Sequence, residues 1–317
     1  IIIAMTLSTF LVSLGCSDVG ENIKLALDWY PNANHIGFYV AKEKGYYSDE
    51  GLKVTIYTPA NPEDVLKTVG AGRDDLGISY QAEVLLARSQ GIPVKSVAAL
   101  VRHPLNSVMA LKSSGVNRPS DLVGKKVGIT GIPFEEQLFA TMVKYDDSSI
   151  EDVELINVGF DLSPSLMSGK VDAIVGAYWT HESILMEREG FDVTTPRMED
   201  WGVPDFYELV LVASDRSVVD RSDTIRKFLK ATKKGFEYAN SYNESAVNIL
   251  ANAIPEINRD VELEGVKLLG DLWEEDGEPF GSQSKERWEN LAKWMEQNNL
   301  LKKRDVANEA FVLTLEP

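Results

Sequence analysis

Positions 28 to 35, DWYPNANH, set a carboxylate, an indole, a phenol, two amides and an imidazole where a buried strand should hand over to a helix. Such a link needs only a turn residue and a cap, which Pro31 with Asn32 or Asn34 already supplies. In open α/β sheets, ligands lie outside the carboxyl ends of the strands, where loops and helix N-termini converge. That rule adds the strand ends Ser79 to Glu83, Thr130 to Glu136 and Ala177 to Glu182. The collected side chains are Trp29, Tyr30, Tyr80, Tyr178 and Trp179, with Asn32, Asn34, His35, Gln81, Glu83, Glu135, Glu136, His181 and Glu182. Lysine and arginine are missing from the set, so phosphate, sulfonate and nitrate lack positive partners. Rings, amides and carboxylates suit a flat, neutral or cationic heteroaromatic, stacked on its faces and hydrogen-bonded at its edge.

Motifs for catalysis fail one by one. The glycines of GAGRDDLG, 70 to 77, are spaced wrongly for a dinucleotide loop, and Gly124-Lys125-Lys126 lacks the Ser or Thr of a phosphate loop. His181-Glu182 opens like a zinc helix, but Leu185 stands where the second histidine belongs. Three histidines, at 35, 103 and 181, could in principle meet around a metal, two of them on cleft loops, but a lone histidine more often hydrogen-bonds or packs, and no metal is expected. Glu135 and Glu136 also read as the acidic first turn of a helix, and Trp29 and Trp179 as core residues.

The elements that must position these residues alternate strand-like and helix-like, an α/β pattern with mostly parallel strands. LALDW and KVTIY read as strands, and a helix over about 34 to 44 ends at Gly45. A weak repeat lays the segment 64 to 83 on 163 to 182 with Gly72 over Gly169: helix, Gly-basic-x-Asp, short apolar strand, then polar or aromatic residues. A second pairing sets KLALDWYP beside KKVGITGIP, each followed by a helix. Two lobes of one design follow, one at 22–110 plus 212–317 and the other at 111–211, joined by a two-strand hinge. The stripe Trp288, Leu291, Ala292 and Met295 reads as core packing.

A chain of 317 residues fits two lobes of ordinary domain size, and 44% hydrophobic content fits a well-buried protein. With 32 Lys and Arg against 49 Asp and Glu, net −17, nucleic acid and anionic membrane surfaces are excluded as partners. Residues 1 to 17 carry no charge and read as an export leader without its basic start. Its Cys16, after Gly15, is similar to the lipidated cysteine of a bacterial lipobox, although Ser13 and Leu14 depart from that pattern. Cys16 is the only cysteine, so the body has neither disulfides nor thiolate metal sites.

DWYPNANHIGFYVAKEKGYYSDEGLKV, NPEDVLKTVGAGRDDLGISYQ, GIPVKSVAAL and DLVGKKVGITG together resemble the substrate-binding proteins of bacterial ABC importers for thiamin pyrimidine precursors. The resemblance covers about 22 to 240 and implies a type II periplasmic-binding-protein fold closing on formylaminopyrimidine or hydroxymethylpyrimidine. The same superfamily includes the fungal pyrimidine synthase, whose catalytic lysine, substrate histidine and cysteine-rich iron motif give way here to Ser79, Glu83 and WGVPDFYEL. Binding without catalysis and without a cofactor is therefore implied. The site expected comprises Trp29, Tyr80 and Trp179 as stacking faces and Asn32, Asn34, His35, Glu83 and Glu182 as edge partners, with Tyr39, Tyr178 and Tyr207. Riboflavin, in the same fold, is the alternative ligand. A monomer outside the cytoplasm is expected, anchored by lipid at Cys16 and serving an ABC permease and ATPase.

Overall fold

The computed structural model describes residues 20 to 313 except 62, 63, 275 and 276; the leader and Cys16 lie outside the described residues. Ten strands follow in chain order: β1 Glu21–Ala26, β2 Leu52–Tyr57, β3 Leu76–Ser79, β4 Val94–Val101, β5 Asn106–Leu111, β6 Lys126–Ile129, β7 Glu154–Asn157, β8 Ala173–Tyr178, β9 Val193–Thr194 and β10 Leu209–Ser214. They form two five-stranded mixed sheets, ordered β2-β1-β3-β10-β4 and β7-β6-β8-β5-β9. The two orders are one topology. In each, the second and third strands run parallel to the first, and the strand that returns from the other half pairs antiparallel with the third.

The chain changes sheets twice, across 102–105 and across 195–208. The lobe limits expected at 110/111 and 211/212 therefore fall inside β5 and β10, which the sheets keep whole. β10, LVLVAS, is buried along its whole length, as a continuous apolar run between two neighbours should be.

The repeat read from the sequence is built into this scaffold. Gly72 and Gly169 both take a left-handed φ, +69° and +72°, at the turn between helix and strand. Three residues on, Asp75 and Asp172 each accept the backbone N–H of the first strand's lysine, Lys24 or Lys126, at 2.8 Å. The helix after β1 begins as a short turn, Ala33–His35, and runs on as Ile36–Glu43, burying Ile36, Phe38, Val40 and Ala41. Beyond β10 the helices Ser222–Ser241, Asn243–Ala253 and Arg259–Trp273 pack on the first sheet's core. Helix Lys285–Gln297 turns Trp288, Leu291, Ala292 and Met295 fully inward, as its stripe required.

Candidate functional site

The carboxyl ends of β1, β3, β6 and β8 face one another across the two sheets. Between them lies a cavity of about 360 Å³, open solvent at its mouth included, lined by Asp28, Trp29, Asn32, Tyr80, Asn106, Thr130, Glu135, Gly176, Tyr178 and Glu182. No lysine or arginine is among these residues.

On the first side the loop DWYPNANH bonds largely to itself, although Asn34 Oδ1 is buried without a partner. The Asn32 side chain caps the turn Ala33–His35, its Oδ1 accepting the Asn34 N–H at 2.9 Å and the Asn34 amide at 3.0 Å. His35 Nδ1 accepts the Asn32 N–H at 3.3 Å, which leaves the ring proton on Nε2 to be donated to Asp28 Oδ1 at 2.9 Å. The Tyr80 hydroxyl donates to the other Asp28 oxygen at 2.9 Å, so the buried carboxylate is held from two directions. Burial first and Asp28 second push the Tyr80 phenol well above its ordinary pKa, which keeps it a donor.

On the second side the Thr130 hydroxyl donates to Glu135 Oε2, and so does its backbone N–H, at 3.2 Å. Burial outweighs these bonds, and with Glu208 and Glu83 nearby it pushes Glu135 up to about 8. Gly176, at φ +91°, is a bulge in β8. A Cβ there would meet Glu135 Oε1 at 2.5 Å, so only glycine leaves the carboxyl its place. Glu182 accepts the Tyr178 N–H at 2.8 Å and His181 Nδ1 at 3.1 Å.

Glu208, just before β10, accepts the backbone N–H groups of Leu105 (2.7 Å) and Asn106 (3.1 Å), the Asn106 amide (2.6 Å) and the Tyr178 hydroxyl (3.2 Å). Burial still raises it to about 7. Asn106 Oδ1 remains buried without a partner. A lone acceptor in a cavity wall is costly unless a ligand donor meets it.

Of the expected site residues, Trp29, Asn32, Tyr80, Tyr178 and Glu182 meet in this cavity. The others stand behind it or away from it. Asn34 and His35 are buried supports of Asn32 and Asp28, and Glu83 lies in the first turn of the helix Gln81–Ser89, acting on Glu135 through its charge. Tyr39 packs into the first sheet's core, where burial takes its phenol to about 12. Trp179 is not among the cavity's lining residues: the Arg197 guanidinium sits 3.7 Å from its ring centroid, over one face, and the indole N–H donates to Pro104 O. Tyr207 is fully buried, its hydroxyl accepting the Ser284 N–H at 2.7 Å. Asp28, Asn106, Thr130, Glu135 and Gly176 complete the wall. Asn106, which opens an apolar strand, carries no local signal at all.

A second opening of about 480 Å³, open solvent included, shares Trp29, Asn32 and Glu182 with the first. Phe160, from the loop after β7, packs on Trp29 and Tyr30 there at 4.3 and 4.7 Å between centroids.

Comparison with known proteins agrees with this architecture. The fold matches the alkanesulfonate-binding protein SsuA of Xanthomonas axonopodis, with a TM-score of 0.73 at 14% identity, over 92% of this chain and 98% of that one. In sequence the chain is 40% identical over 295 residues to a formylaminopyrimidine-binding protein of Halalkalibacterium halodurans, covering 92% of this chain and 89% of that one. A 4-amino-5-hydroxymethyl-2-methylpyrimidine phosphate synthase of Saccharomyces cerevisiae is 30% identical over 251 residues, 76% of this chain and 74% of that one. With residues 32–246 also matching its description, the chain belongs to the NMT1/THI5 like family.

Proposed function

We propose that the protein is the extracytoplasmic substrate-binding component of an ABC importer and captures a thiamin pyrimidine precursor, formylaminopyrimidine or hydroxymethylpyrimidine, without altering it. The observation that carries the reading is the cavity wall, which sets the orphan acceptor Asn106 Oδ1 and the carboxyls Asp28, Glu135 and Glu182 among the rings of Trp29, Tyr80 and Tyr178. An aminopyrimidine presents an exocyclic amine beside a ring nitrogen. The amine donates to Asn106 Oδ1 or to a carboxylate. Glu135, un-ionised at neutral pH with its pKa near 8, has a proton to offer the ring nitrogen.

The pyrimidine bound by the 40% identical relative supports the same choice. Ser79 and Glu83, where the synthases resembled have their lysine and histidine, support binding rather than catalysis. In this reading the lobes hinge at 102–105 and 195–208, and ligand contacts on both walls stabilise the closed form that a permease recognises. The body acts as a monomer, tethered by lipid at Cys16. Calorimetry against formylaminopyrimidine, hydroxymethylpyrimidine, thiamin and riboflavin tests the assignment: a pyrimidine should bind most tightly, and tight riboflavin binding with neither pyrimidine bound overturns it.

A further inference from the structure

A buried carboxylate outside the cavity ties the two halves together. Glu262 lies in the first turn of helix Arg259–Trp273, whose Val266, Leu269 and Trp273 belong to the first sheet's core. One of its oxygens accepts the Ala33 N–H at 2.6 Å, at the turn capped by Asn32. The other meets His181 Nε2 at 3.2 Å, and His181 stands in the second half, between β8 and the helix Glu182–Arg188. The opposite ring nitrogen, Nδ1, is 3.1 Å from Glu182 of the cavity wall.

Burial works against a charge on His181, but Glu182 and Glu262 outweigh it and hold the imidazolium up to about 10. A doubly donating ring between two carboxylates satisfies every group in the chain Ala33, Glu262, His181, Glu182. The helix is also seated against both halves. A Cβ on Gly265 would come within 3.0 Å of Thr180 O and 3.2 Å of the Ala33 Cβ. A second, more exposed tie joins Arg188 to Asp260 at 3.2 Å and to Glu264.

We infer that His181 and Glu262 are positioning residues of the binding site: they aim Glu182 into the cavity and bridge the halves across the helix Arg259–Trp273, and so set how long a ligand is held. The inference rests on the binding function proposed above. It assigns the pair to the closed form. Breaking a buried charge bridge acts on dissociation, whereas encounter with the open cleft does not need it.

Stopped-flow tryptophan fluorescence with hydroxymethylpyrimidine reads both rates. Glu262→Gln keeps an acceptor for the Ala33 N–H, and His181→Gln keeps a polar side chain, so both variants retain groups that the fold uses. Each should raise the dissociation rate about tenfold, with the association rate within about twofold of wild type. The double variant should be no faster than either single one, because both substitutions break one bridge. An unchanged dissociation rate, or effects that multiply, overturns the inference. Should the wild type bind neither pyrimidine, the proposed function fails, and the bridge is then read without ligand. Nitroxides at Gln90→Cys and Lys170→Cys, both exposed, in a Cys16→Ser chain, should report a longer mean distance in Glu262→Gln. An unchanged distance distribution overturns the bridge itself.

Discussion

The two halves are copies at one end of their sheets and opposites at the other. Away from the cavity, Gly72 and Asp75 do in the first half what Gly169 and Asp172 do in the second, with the same left-handed turn and the same 2.8 Å bond. At the cavity each half joins the end of its first strand to the first turn of the next helix, but with the roles exchanged. In the first half the strand end supplies the carboxylate, Asp28, and the helix turn the donor, His35. In the second the strand end supplies the donor, Thr130, and the helix turn the carboxyl, Glu135. Asp28 has an imidazole and a phenol on it, whereas Glu135 has only a hydroxyl and an amide, with Glu208 and Glu83 close by. One scaffold thus presents a well-partnered carboxylate on one wall and a protonated carboxyl on the other, chemistry suited to an edge with both donors and acceptors.

The largest break in the comparison should come from Gly176→Ala. The bulge at Gly176 is what makes room for Glu135, and the uninterrupted β3 has none. A Cβ at φ +91° and 2.5 Å from the carboxyl should lower stability by about 2 to 4 kcal/mol and pyrimidine affinity about 100-fold, read by urea titration and calorimetry. Near-normal affinity in this variant would show that Glu135 is not needed in its present place.

The next effect tests the Glu135 carboxyl by pH. Glu135 is raised from 4.5 to about 8 in the folded state, so its contribution is complete below 4.5 and is lost as pH rises to about 8. Each such group gives a slope of up to about 1.4 kcal/mol per pH unit. Glu208 acts in the same direction, up to about 7, and His181 from 6.5 to about 10. Between pH 7 and 8 the ligand-free Glu135→Gln variant should therefore lose stability less steeply than wild type. Asp28→Asn, which weakens the bonds from His35 and Tyr80, should cost about 1 to 3 kcal/mol at neutral pH. Parallel curves for wild type and Glu135→Gln would refute the protonated carboxyl.

What the sequence made legible was whatever rests on local chemistry. The alternation of elements, the Gly-basic-x-Asp repeat and the crowding at DWYPNANH all follow from backbone and turn preferences acting over a few residues. Trp29, Asn32, Tyr80, Tyr178 and Glu182 were legible because a strand end fixes where its next residues emerge. Residue type alone does not fix direction, which is why Tyr39 and Tyr207 were expected in the cleft although they pack inward. Trp179 sits at the right strand end, yet one of its faces is covered by Arg197, a residue with no signal to pair it. Asn106 and Glu208 were illegible for another reason. Their roles exist only because β5 and β10 carry the chain between the sheets, and Glu262 meets Ala33 across 229 positions.

The smallest effect tests the ends where the halves agree. Asp75 and Asp172 each bind a strand N–H, and each returns a backbone bond to the same lysine, 3.1 Å from Asp75 N to Lys24 O and 2.7 Å from Asp172 N to Lys126 O. Replacing either by asparagine keeps an acceptor and removes the charge, so each should cost about 1 kcal/mol. The copies are not quite equal, since Asp75 also pairs with Arg221, which Glu21 holds at 2.7 Å from the other side. Asp75→Asn should therefore cost somewhat more than Asp172→Asn at low salt, by about 0.5 kcal/mol, and the excess should fade as salt screens the half-exposed pair. Ligand affinity should stay within about twofold in both variants, because neither aspartate reaches the cavity. A large loss of affinity from Asp172→Asn alone would mean that the repeat's structural end also shapes the cavity, and the division between copied and diverged ends would fail.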